Sequence, residues 1–159
     1  MSKVDFVAES GQQTTVITQI FDAPRDLVWK IYTDPKLLSK WWGPKILETN
    51  IEQMEVKTGG SWRVVQKDTE GNEFAFHGVY HDVKPYNLTR TMEWEGMPGH
   101  VLLETVKMEE INGKTKVTDI NVFQSVEDRD GMVETGMKRG VDESYERFVM
   151  LLKEFKAKS

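Results

Sequence analysis

The sequence contains no cysteine, which excludes disulfides, thiol nucleophiles and thiolate metal sites together. It also lacks any excess of basic charge: 21 lysines and arginines stand against 26 aspartates and glutamates, for a net charge of −5. The two signs are interspersed, so no basic face is offered to a phosphate backbone and nucleic acid is not expected as a partner. Long apolar runs are missing as well. The opening residues, MSKVDFVAESGQQ, are polar and hold no stretch of the length a signal peptide or a membrane span requires. A soluble, cytoplasmic protein with no membrane partner is expected. Histidine is scarce, with three in the chain. His77 and His81 are four positions apart, but along a strand that is about 13 Å, too far to share an ion. His100 stands alone in a loop. No serine lies in a nucleophile elbow, and no glycine-rich loop joins a strand to a helix. Neither a metal nor a cofactor nor a catalytic residue is expected on these grounds.

What is present is a globular composition, 38% apolar and 30% charged over 159 residues, suited to one domain with one substantial core. The reading is a flexible N-terminal arm over 1–13 and a single domain over 14–157. The longest periodic signal lies at 128–156, where Val133, Met137, Val141, Tyr145, Phe148, Leu152 and Phe155 recur every three or four residues along one helical face. Glu127, Asp128 and Asp130 stand at its start and Lys153, Lys156 and Lys158 at its end, complementing the helix dipole. Ser125, three residues before Asp128, reads as the opening of an acidic capping box. A helix of this length, about 40 Å, needs a long apolar surface to cover. Its stripe is uneven. Gly136, Gly140 and Ser144 fall on or beside it in the first half, whereas Phe148, Leu151, Leu152 and Phe155 crowd the second. Glycine within a helix costs up to about 1 kcal/mol against alanine. The first half therefore either approaches other backbone closely or roofs a space.

Upstream, 14–21 alternates and is rich in β-branched residues, which predicts a strand. Pro24 suits the start of a helix through Val28, Trp29, Ile31 and Tyr32, and Asp34-Pro35 ends it. A second short helix, 36–40, leads into Trp41-Trp42-Gly43-Pro44. Six further strands follow at 46–56, 62–67, 74–83, 88–95, 101–108 and 115–123, joined by turns such as Asn112-Gly113. Short turns between successive strands make an antiparallel meander. The expected fold is α+β: a curved seven-stranded antiparallel sheet wrapped around the long C-terminal helix, with two short helices after the first strand, the helix-grip arrangement.

Phe21-Asp22-Ala23-Pro24, Tyr32-Thr33-Asp34-Pro35, Trp41-Trp42-Gly43-Pro44, Gly59-Gly60-Ser61-Trp62, Phe76-His77-Gly78-Val79-Tyr80, Glu93-Trp94-Glu95-Gly96 and Asp128-Arg129-Asp130-Gly131 occur in order across the chain. In these segments the sequence resembles the SRPBCC superfamily, which shares the START-like, Bet v 1-like helix-grip fold. Within it, the chain is similar to the single-domain proteins related to the activator of heat-shock protein 90 ATPase. The resemblance implies an internal cavity for a small hydrophobic or amphipathic ligand, bordered by the loop of Trp41 and Trp42, which would act as a gate. It also implies two alternatives: a chaperone partner, or an enzyme of the polyketide cyclase or hydrolase kind.

Strand register supplies the candidate site. Closing the two last hairpins at Gly96 to Gly99 and at Asn112-Gly113 sets Arg90 opposite Glu104, Glu104 opposite Asn121 and Val106 opposite Asp119. Two readings stay open. The polar set is a cross-strand ion pair on a solvated face, or it lies inside and orients the polar end of a ligand. On the second reading the cavity is lined by Trp41, Trp42, Trp62, Phe76, Met92 and Trp94, by Arg90, Glu104, Asp119 and Asn121, and by Met137 and Gly140 of the long helix. The opposite face of the same strands shows Val101, Leu103, Ile120 and Val122, an apolar surface suited to a homodimer or another partner.

Overall fold

The computed structural model describes residues 4–158; the first three residues of the expected arm lie outside them. β1 (Asp5–Val7) and β2 (Thr14–Phe21) are followed by α1 (Arg25–Thr33) and α2 (Pro35–Trp41). The meander comprises β3 (Glu48–Met54), β4 (Ser61–Lys67), β5 (Glu73–Lys84), β6 (Asn87–Trp94), β7 (Val101–Ile111) and β8 (Lys114–Val122). The chain closes with α3 (Val126–Glu134) and α4 (Met137–Lys158). All pairings are antiparallel, and the sheet order is β1-β2-β8-β7-β6-β5-β4-β3. The helix-grip architecture is therefore present, with two corrections.

Among the described residues the sheet has eight strands, not seven. The added strand lies within the stretch read as an arm, where Phe6 pairs with Ile17 and Val7 with Val16. The physical reason is the open edge of β2, whose outward N–H and C=O groups are satisfied by a short strand. The alternation of Val4 and Phe6 with polar neighbours is a weak signal of it.

The long helix is broken. Thr135 caps α3 and Gly136 takes φ +98°, the left-handed region that glycine enters without a Cβ penalty, before α4 begins at Met137. Thr135-Gly136 is thus a helix stop followed by a restart. The helical stripe continues across it, which is why periodicity alone runs the two helices together. The N-terminal cap agrees with the reading from sequence: Ser125 Oγ accepts the Asp128 N–H at 3.0 Å. Asp128 does not reach back to complete the box. Its carboxylate instead faces His100 Nδ1 at 2.9 Å.

The main core gathers Phe21, Val28, Ile31, Leu38, Trp41, Val117, Phe148, Leu151 and Leu152 between the sheet, the two short helices and the second half of α4. Phe148 is fully buried and stacks on Phe21 at a centroid separation of 4.2 Å, with Trp41 edge-on at 4.9 Å. A smaller cluster of Trp62, Val64 and Tyr80 lies on the other side of the sheet's concave face. Between the two clusters the first half of α4 bridges a recess.

Candidate functional site

The concave face carries one side chain in two from every strand. On β2 these are Thr15, Ile17, Gln19 and Phe21, all buried. The register then builds an unbroken row of polar partners across five strands. Thr15 opposes Asn121, Asn121 opposes Glu104, Glu104 opposes Arg90, and Arg90 opposes Tyr80. Asp119 is one inward position along from Asn121, beside Ile17 and Val106. Register reasoning from the hairpins reaches Arg90, Glu104, Asp119 and Asn121 correctly, and the solvated alternative is overturned: the Arg90 and Glu104 side chains are only 11% and 13% exposed.

Arg90 Nε donates to Glu104 Oε1 at 2.7 Å. The guanidinium lies over the Trp62 indole at 4.1 Å, and Arg90 is the cross-strand partner of Tyr80. Glu104 and Asp119 lie side by side, close enough for a hydrogen bond when one of them carries a proton. Burial raises the Asp119 pKa well above the ordinary carboxyl value, and the Glu104 charge beside it adds to the effect. Burial also pushes Glu104 up, but the Arg90 charge and the hydrogen bonds from Asp119 and Arg90 outweigh it and hold the group below its usual value. The two groups are thus driven apart, Glu104 toward the carboxylate and Asp119 toward the neutral acid, according to which one pairs with the arginine. Tyr32 is raised well above its usual value by burial and then by the Asp119 and Glu104 charges.

Above this row lies a recess of about 260 Å³. Its apolar walls include Trp41, Trp42, Phe76, Met92, Leu102 and Val141, its polar surface Arg90, Glu104, Asp119, Asn121, Gln19, Gln66 and Tyr32, and its roof Met132, Met137, Gly140 and Tyr145. A Cβ added at Gly140 would meet nothing within 4 Å. The second glycine of the stripe therefore faces open space rather than backbone. Gly136, expected beside it, lies in the linker between helices and does not line the recess.

Two tryptophans named from the sequence do not line it. Trp62 is opposite Gly78, and its ring lies flat in the gap that glycine leaves, with Nε1 donating to the Thr91 carbonyl at 3.1 Å. It supports Arg90 from behind instead of facing the recess. Trp94 shares the inner face but stands at the end of β6, 37% exposed, where its ring folds over Gly96.

Trp41 and Trp42 do border the recess, as parts of a tethered loop. The Trp41 indole N–H donates to the Ile31 carbonyl at 3.1 Å, and the ring is 6% exposed. Ser144 Oγ accepts the Gly43 N–H at 2.9 Å and donates to the Gly43 carbonyl at 3.3 Å, while Arg147 donates to the same carbonyl at 3.1 Å. The loop is pinned to α4 by these bonds, so Ser144 acts as a clasp on the roof.

Sequence reasoning missed Gln19, Tyr32, Tyr80 and Tyr145. A signal existed for two. Gln19 is a polar residue on the inward phase of an alternating strand, and Tyr80 extends the polar register one strand beyond Arg90. Tyr32 and Tyr145 come from helices, and strand register says nothing about which sheet positions they cover. On the convex face, Leu103 and Val122 are cross-strand partners, 42% and 40% exposed. Among the described residues no helix is long and apolar enough to cross a membrane.

The sequence profile of the family described as "Activator of Hsp90 ATPase homolog 1-like protein" matches residues 22–153. A search of curated proteins finds no match. Among solved structures, a protein from Arthrobacter aurescens is 28% identical, with a TM-score of 0.88 over 96% of this chain and 93% of its own. Protein Ms6760 from Mycobacterium smegmatis is 23% identical, with a TM-score of 0.85 over 94% and 96%. The AHSA1 protein from Silicibacter pomeroyi, at 19% identity, superposes with a TM-score of 0.73 over 88% and 97%. The match spans both short helices, the meander and most of α4, so this chain belongs to the Activator of Hsp90 ATPase homolog 1-like family, within the SRPBCC, Bet v 1-like superfamily.

Proposed function

We propose that the protein binds a small hydrophobic or amphipathic molecule in the recess beneath the first half of α4. The observation that carries this reading is an interior space of about 260 Å³ with apolar walls and a few placed polar groups at its base, the composition usual in ligand sites. The space is smaller than the roughly 300–1,000 Å³ of drug-sized pockets, so the occupant is fragment-sized, a single ring or a short chain. Gly140 supplies the test. Its missing side chain leaves open space on the roof, so Gly140→Leu fills the recess without displacing backbone. Fragments that raise the melting temperature of the native chain, or co-purify with it in native mass spectrometry, are expected to lose their effect in this variant while its fold is retained. Fragment binding that survives a filled roof removes the recess as the site.

A second reading is acid–base catalysis of the polyketide cyclase or hydrolase kind. The split ionisation of Glu104 and Asp119 at the recess favours it, since a neutral acid beside a carboxylate can give and take a proton. A discovered turnover that is unchanged in Asp119→Asn excludes it. Partnership with heat-shock protein 90 is the reading that the family's description brings, and the exposed Leu103 and Val122 pair on the convex face is the surface it would use. Chaperone ATPase activity unaltered by the protein removes it.

A further inference from the structure

We propose that the recess selects an amine: a compact apolar body carrying a primary or secondary ammonium group, seated against Asp119 with Gln19 and Tyr32 as additional acceptors. The inference rests on the ligand-site reading and names the chemistry of the occupant.

The first ground is a count of charges. Two carboxyl groups, Glu104 and Asp119, face the recess with one cation, Arg90. That cation is already paired: Glu104 takes its Nε–H at 2.7 Å and Trp62 covers its plane at 4.1 Å. An anionic ligand would meet two carboxyl groups and one cation whose charge Glu104 already balances. The same set favours a cation. Asp119 is held by the Glu104 contact and by a long bond from Asn121 Nδ2 at 3.4 Å, so its carboxyl lacks a strong donor of its own.

The second ground is independent of the acids. Gln19 lines the recess from β2, is 8% exposed, and its side-chain amide makes no hydrogen bond among the described residues. The carbonyl oxygen of that amide is open to an N–H donor from within the recess. The Tyr32 hydroxyl lines the same space, also without a hydrogen-bond partner among the described residues. Around these acceptors stand the rings of Trp41, Trp42, Phe76 and Tyr145, whose faces attract a cation as well as its apolar body.

The groups acting on Asp119 are Glu104 from β7, Arg90 from β6, Asn121 from its own strand and Tyr32 from α1, with Tyr80 and Tyr145 elsewhere on the recess wall and Ile17 and Gln19 from β2. None but Arg90 is a cation. In the empty recess burial and the neighbouring Glu104 charge favour a proton on Asp119. An arriving ammonium takes the place of that proton, which leaves to solvent, so charge in the recess is conserved: one ammonium enters and one proton departs.

Three probes of one size separate the alternatives on the native chain: benzylamine, benzyl alcohol and phenylacetate, titrated calorimetrically at neutral pH. The expected result is binding of benzylamine at least about tenfold tighter than benzyl alcohol, with no binding of phenylacetate. Repeating the benzylamine titration in two buffers of different ionisation enthalpy is expected to show release of about one proton per molecule bound, a readout that needs no variant. Asp119→Asn is expected to remove the discrimination between amine and alcohol. If phenylacetate or benzyl alcohol binds as well as benzylamine, or no proton is released, the amine assignment is overturned while the recess stands as a binding site. If none of the three binds, both the assignment and the ligand-site reading fall.

Discussion

The two halves of α4 do opposite work on one continuous stripe. From Phe148 onward the helix is a core element: Phe148, Leu151 and Leu152 are buried against Phe21, Trp41 and the short helices. From Met137 to Ser144 the same face carries Met137, Gly140, Val141 and Ser144 and closes a recess. The difference lies in side-chain volume and in what approaches from the other side. α1 and α2 bring aromatic rings to the second half, with Tyr32 also 5.4 Å from Phe148. The first half faces the polar row on β6, β7 and β8, which cannot be filled by apolar side chains without leaving Arg90 and Glu104 unpaired. The packed core is concentrated at one end and the recess at the other.

The largest expected effect tests the packed end. Phe148→Ala removes a fully buried ring at the centre of an aromatic cluster and is expected to lower unfolding free energy by about 3–5 kcal/mol, measured by denaturant titration. A loss below about 1 kcal/mol, the range of a surface substitution, would break the contrast between the halves.

Next is the joint that lets the roof take its own direction. Gly136→Ala places a Cβ on a residue at φ +98°, where nothing crowds it sterically from outside but the backbone conformation itself is strained. The expected cost is about 1–2 kcal/mol, with fragment binding weakened because α3 and α4 no longer meet at the same angle. An unchanged melting temperature would show that the two helices join without the left-handed turn.

The smallest effect concerns pH. The folded-state pKa of Asp119 is raised, so the folded chain holds a proton that the unfolded chain releases near pH 4. Stability from this group therefore falls as pH rises through the window that begins at the unfolded value. Asp119→Asn, which keeps an amide donor toward Glu104, is expected to flatten that slope and to match or exceed the native chain at neutral pH. Parallel stability curves for the two proteins between pH 4 and 8 would show that Asp119 carries no such penalty.

Much of the site was legible before any coordinates, because antiparallel register is arithmetic once the turns are known. Asn112-Gly113, with both residues at positive φ, fixes β7 against β8. From it follow the Glu104–Asn121 and Val106–Asp119 pairs. Trp62 and Trp94 show where that arithmetic stops. Alternation gives the face on which a side chain starts, but a ring several ångströms wide ends where a neighbour leaves room, over Gly78 in one case and Gly96 in the other.

The sequence by itself determined the order from β2 through the two short helices to the end of the meander, the helix-grip arrangement, the polar strand positions and the division of the helical stripe. These depend on periods of two and about 3.6 residues and on turn chemistry, all local in the chain. Tertiary structure alone decided that the polar row is interior and that Gly140 faces open space while Gly136 breaks the helix. It alone brings Tyr32 and Gln19, from opposite sides of the fold, to one recess. Those outcomes depend on how the sheet curves and on which volumes are left unfilled when the helices settle on it, and packing of that kind has no period to read.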